Sequence, residues 1–97
     1  MARRFFMVSY DIADDKRRDH VAKTMEDFGD RVQYSVFCCQ LNARERIQME
    51  QKLRVCLHHG EDQVLIVDAG PVAGQQPQPE VDYLGKPYVV ASRSQIV

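Results

Sequence analysis

At 97 residues and a formal net charge of −1, the chain has room for one domain with a modest core, and its bulk charge does not announce a nucleic-acid binder. A hydrophobic fraction of 44% and a charged fraction of 28% fit a globular protein rather than a disordered one. No apolar run approaches the roughly 20 residues that a membrane helix needs. The start Met1-Ala2-Arg3-Arg4-Phe5-Phe6 carries the charge of a signal peptide, but its apolar part is short and runs straight into Asp11. Export is therefore not expected, and a cytoplasmic location is. Cys38, Cys39 and Cys56 have no Cys-x-x-Cys spacing. They read as small hydrophobes in a reducing compartment, not as a metal site or a disulfide framework.

In chain order, residues 3–10 predict a strand that is apolar on both faces, with Phe5 and Met7 on one side and Phe6, Val8 and Tyr10 on the other. Asp11 falls where the apolar run stops, which puts its carboxylate near a strand end. Residues 14–28 predict a helix: Asp14 can cap it, Val21, Ala22, Met25 and Phe28 form its apolar stripe, and Gly29 is placed to stop it in a left-handed conformation. Lys16, Arg17 and Arg18 put three cations within about one turn of one another. Over residues 31–41 the alternation changes phase, so a bulge or a tight hairpin falls near Tyr34-Ser35; local reading leaves both open. Asn42 begins a second helix with Glu45 completing a near capping box, an apolar stripe of Met49, Leu53, Cys56 and Leu57, and Gly60 as its end. Ile47 and Val55 lie off that stripe. Residues 62–69 read as a strand buried on both faces, residues 70–78 as a Gly- and Pro-rich loop, and residues 81–91 as one short strand that, given Pro87, starts late or lies at an edge.

Tyr10-Asp11-Ile12, then Asp14-Asp15-Lys16-Arg17-Arg18, Gly29 and Arg31-Val32-Gln33-Tyr34-Ser35-Val36-Phe37, at these distances in so short a chain, resemble the small CRISPR-associated endoribonuclease family, the second universal CRISPR adaptation protein. The resemblance runs over about residues 5–69. It implies an α+β, ferredoxin-like βαββαβ fold, with two strands within residues 31–41, to which the sequence adds a C-terminal strand. Residues 1–70 then form the core and residues 71–97 a loop and strand that complete a dimer.

Two helices cover only one face of a four-stranded sheet, yet the first and last core strands are apolar on both faces. A second copy related by a twofold axis is the simplest cover for the other face; the tail folding back over its own sheet is the alternative. The family is a homodimer with sheet packed on sheet, which agrees with the first. In such a dimer Asp11 and its mate approach one another, and two close carboxylates call for a cation between them. A hard, oxygen-liking ion fits, Mg²⁺ or Mn²⁺, one ion shared across the dimer. It would serve hydrolysis of a phosphodiester, with Arg17, Arg18 and Arg31 holding phosphates of DNA or RNA. The resemblance places the metal-binding and catalytic residue at Asp11 and implies contributions from Arg18, Arg31 and Phe37. Tyr10, Ser35 and Phe37 are otherwise explained as core, turn and core. The expected partners are a second copy, the CRISPR integrase and nucleic acid, with no membrane. Two other functions compete: a non-catalytic scaffold bridging integrase subunits on duplex DNA, which needs the arginines but no metal, and a small-molecule regulatory domain, for which no ligand-specific motif is present.

Overall fold

The computed structural model describes residues 2–74 and 81–86. Six elements follow one another: β1 (Arg4–Asp11), α1 (Asp15–Glu26), β2 (Gly29–Gln33), β3 (Val36–Leu41), α2 (Ala43–Cys56) and β4 (Gln63–Pro71). The strands form one sheet in the order β2-β3-β1-β4, with every neighbouring pair antiparallel. This is the βαββαβ, ferredoxin-like α+β fold that the sequence led us to expect.

The period-2 pattern of β1 assigns its faces. Phe6, Val8 and Tyr10 join Phe37, Cys39 and Leu41 of β3 under the helices, where Val21 and Met25 of α1 and Met49 and Leu53 of α2 close the core. Phe37, Met25, Met49 and Val8 have no exposed area, and burial of each such side chain contributes about 1.5–3 kcal/mol. Met7 is paired with Cys38 on one side and Val67 on the other, so these three share the opposite face, with Leu65 and Val36 flanking Ser9 beside them. There the Cys38 thiol lies 2.9 Å from the Met7 sulfur. Burial pushes the Cys39 thiol up to about 12 and raises that of Cys38, which keeps both protonated and leaves them as the small hydrophobes expected.

Several expectations need correction. Residues 62–69 do not form a strand buried on both faces: β4 is an edge strand, and in the single chain Val64 and Ile66 are half-buried while Leu65 and Val67 are 56% and 46% exposed. The strand also runs on to Pro71, into the stretch read as a loop, and Val72 donates its N–H to the Arg3 carbonyl at 3.0 Å. Gly29 is not a left-handed helix stop. Helix α1 ends at Glu26 in a tightened turn, Asp27 N–H to Thr24 O at 3.2 Å and Phe28 N–H to Met25 O at 2.9 Å. Gly29 instead begins β2, and a Cβ there would sit 2.3 Å from the Cys38 carbonyl oxygen and 2.7 Å from the Cys39 sulfur; close approach of two strands demands the glycine. Helix α2 stops at Cys56 with an extended Leu57, short of Gly60.

The phase change over residues 31–41 is both of the things considered: a hairpin turning at Tyr34-Ser35, and a register shift between Arg31 and Gln33 beside it. Asn42 caps α2 with a full capping box to Glu45, at 2.8 and 2.9 Å, and Ile47 and Val55 are exposed as their off-stripe positions require. Of the C-terminal strand expected over residues 81–91, residues 81–86 are irregular, and the remainder lies outside the described residues.

Candidate functional site

Register brings the chemistry-bearing residues to one end of the sheet. Asp11 is the last residue of β1 and pairs with Gln63, the first of β4. Ser9 pairs with Val36, and Tyr10 donates its N–H to Ser35 O at 3.1 Å, so the β2–β3 turn lies beside the end of β1. Helix α1 starts four residues after Asp11, with Asp14 as its N-cap accepting from the Arg17 N–H at 3.0 Å. Asp14 and Asp15 are thus helix-start residues.

Asp11 itself is exposed and makes no hydrogen bond or ion pair among the described residues. Its odd position in β1 aims it to the helix-free face, whereas Tyr10 faces the helices. Among the described residues, no three His, Cys, Asp or Glu side chains converge. The open Asp11 carboxylate is a hard oxygen donor that fits a largely hydrated cation such as Mg²⁺ and does not fit a caged or soft-metal site.

The three arginines are held differently. Arg17 is committed to an acid: its Nε lies 2.8 Å from Asp62 Oδ2 and its Nη2 3.2 Å from Asp62 Oδ1 and 3.1 Å from Glu61. Arg18 curls back over the loop it follows, bonding Asp15 at 2.6 Å and the Ile12 carbonyl at 3.0 Å. The Asp15 carboxylate holds the Arg18 guanidinium above its ordinary value, and the neighbouring Tyr34 hydroxyl adds a smaller effect. Arg31 lies in β2, its Nη2 3.2 Å from the Tyr10 hydroxyl and its guanidinium 5.1 Å from the centre of the Phe37 ring. Tyr10 and Phe37 stack at 6.2 Å, and the Tyr10 hydroxyl reaches the Tyr34 carbonyl at 3.4 Å. So Tyr10, Arg31, Phe37 and the Tyr34-Ser35 turn form one cluster on the helix side, with Arg18 at its edge.

Asp62 is the residue sequence reading missed. Beyond Arg17, its carboxylate accepts the N–H of Ala13 at 3.0 Å and of His58 at 2.8 Å, and its side chain has no exposed area. The Arg17 guanidinium, with those two N–H groups, holds it well below the usual carboxylate range. It ties the loop after Asp11 to the start of α1 and to the α2–β4 loop. Its only local signal was an acid immediately before an apolar strand. Elsewhere, basic residues serve the fold: Arg3 pairs with Glu45 at 2.9 Å, Arg4 with Asp68 at 2.9 Å, and Arg46 with Glu50 at 2.9 Å while lying over Phe6.

A four-stranded antiparallel sheet with two helices on one face, in the order β2-β3-β1-β4, defines a small α+β protein of the ferredoxin-like class. The family described as CRISPR associated protein Cas2 matches residues 4–72, and the chain belongs to that family. It is 37% identical over 92 residues to the CRISPR-associated endoribonuclease Cas2 of Geobacter sulfurreducens, covering 95% of each chain. It is 41% identical over 75 residues to the CRISPR-associated endonuclease Cas2 2 of Thermus thermophilus, covering 77% of this chain and 80% of that one. The crystal structure of Streptococcus pyogenes Cas2 superposes with a TM-score of 0.67 at 30% identity, covering 84% of this chain and 99% of the other. Among the described residues, no helix is long and apolar enough to cross a membrane.

Proposed function

We propose that the protein acts in CRISPR adaptation, within antiviral defence, as a homodimer that holds nucleic acid by its phosphates and cleaves phosphodiester bonds in the presence of Mg²⁺ or Mn²⁺. The observation that carries this reading is Asp11, an exposed carboxylate at a strand end with no partner among the described residues, on the face where Leu65 and Val67 stay uncovered. A second copy covering that face buries the apolar side chains and draws two such carboxylates together. Asp11 of each copy would then hold the ion, which supplies Lewis-acid polarisation of a phosphoryl oxygen and a more acidic water. Arg18 and Arg31 lie at the same end of the sheet but on its helix side, so they would hold neighbouring phosphates of the bound strand rather than the one at the ion; Arg17, held by Asp62, adds its field and fixes the loop. The names of the relatives, endoribonuclease and endonuclease, support the same chemistry.

A second reading keeps the dimer and the arginines without catalysis, as a scaffold for the CRISPR integrase on duplex DNA. Asp11 belongs to no cluster of three or more His, Cys, Asp or Glu side chains among the described residues, which favours it. The two separate by comparing Asp11→Asn with the parent on RNA and on duplex DNA, with and without Mg²⁺. Cleavage that needs the ion and vanishes in the variant supports the nuclease. Equal residual cleavage by both proteins removes it, and spacer acquisition surviving the substitution supports the scaffold.

A further inference from the structure

We infer that the protein carries a site for one unpaired nucleobase, separate from Asp11, in the cleft beside the β2–β3 turn. The inference rests on the nucleic-acid reading above and deepens it by naming the strand form bound. The cleft measures about 330 Å³ and is lined, among the described residues, by Gln33, Tyr34, Ser35, Tyr83 and Lys86. Tyr34 is 65% exposed, an unusual position for a large aromatic ring that makes no ring contact within the fold among the described residues. Tyr83, 38% exposed, is tied down by its hydroxyl, which donates to the Val32 carbonyl at 3.0 Å. A ring anchored in this way offers a stacking surface at little further cost in side-chain entropy.

The remaining groups match a nucleotide. Gln33 and Ser35 supply an amide and a hydroxyl able to pair with a base edge, and Lys86 supplies a cation at the rim. The Arg18 guanidinium neighbours the Tyr34 hydroxyl and adds positive charge near the cleft. No acidic side chain lines the cleft among the described residues. Aromatic surface interleaved with cations is the pattern by which single strands are held, and stacking accepts any base. Bases in an intact duplex are already stacked on their neighbours and cannot enter, so the site selects a single-stranded segment or a frayed end.

The test uses the full chain, fluorescent single strands of RNA and of DNA each carrying one 2-aminopurine, and a blunt duplex of equal length. The parent quenches the single-strand fluorophore on binding. Tyr34→Ala removes the quenching and weakens single-strand binding about tenfold, while duplex binding stays within about twofold. Tyr34→Phe keeps the parent's behaviour. Quenching on RNA alone, or on DNA alone, upholds the site and names its strand. Unchanged quenching in Tyr34→Ala, or an equal loss on duplex, overturns the site and leaves the phosphate reading standing. A parent that binds neither form overturns both.

Discussion

The Arg17 guanidinium lies side-on against the Asp62 carboxylate, 2.8 Å and 3.2 Å across two hydrogen bonds, and joins residues 45 apart in the chain. The same carboxylate takes two backbone N–H groups, one of them two residues beyond Asp11. Replacing Asp62 by Asn leaves the shape but removes the charge that four N–H groups address. Asp62→Asn is expected to lower the thermal midpoint near neutral pH. Because the folded carboxyl titrates below its unfolded value, its contribution is fully present above the ordinary Asp range and is lost as pH falls below about 3.9 toward the folded value. The difference in midpoint between parent and variant should therefore be flat from neutral pH to about 5 and shrink at lower pH. Thermal melts across that range check it; a gap that widens in acid would contradict the assignment.

Gly29 should tolerate no side chain. A Cβ 2.3 Å from a backbone carbonyl oxygen cannot be relieved by turning a rotamer, so β2 and β3 must part. Gly29→Ala is expected to cost about 2 kcal/mol or more, measured by urea unfolding. Gly60→Ala meets only the His58 ring at 3.3 Å and should be close to neutral.

The uncovered sheet face predicts self-association. The parent's thermal midpoint should rise with protein concentration, as it does when folding is linked to dimer formation. Leu65→Lys adds a charge to a side chain already 56% exposed, so the folded subunit should persist while the concentration dependence disappears. Sedimentation of the two proteins gives an independent reading.

Arg18 should act on nucleic acid through charge. Arg18→Ala is expected to weaken binding uniformly across sequences and to make the dependence of log affinity on log salt shallower by about one. Its ion pair partner Asp15 is 90% exposed, so the melting temperature should scarcely move.

Much of this fold follows from local chemistry that sequence carries openly. The Asn42–Glu45 box, the stripe of Val21 and Met25, and the two-sided apolarity of β1 each depend on residues within a few positions of one another. Asp11 was legible for the same reason, since an acid ending an apolar run marks a strand end. What was not legible depends on contacts across the chain. Nothing near residue 62 reveals that Arg17 will meet it, and nothing near Gly29 reveals that Cys38 will crowd it. Residues 62–69 look buried on both faces because their composition is that of a central strand; only the strand order places them at the edge. In the sequence Tyr34 marks a bulge or a hairpin turn, and its open ring in a cleft shared with Tyr83 emerges only when a distant segment is laid against the hairpin.

The hydrogen bond from Val72 to Arg3 has a consequence for how the chain is wired. It sets the entry to β1 and the exit from β4 side by side, so the six elements form a nearly closed circuit. A short bridge across that gap, with the backbone cut instead between two other elements, would preserve every strand pairing under a new beginning and end. The packing is indifferent to where the ribosome starts reading, which makes this core a natural candidate for circular permutation.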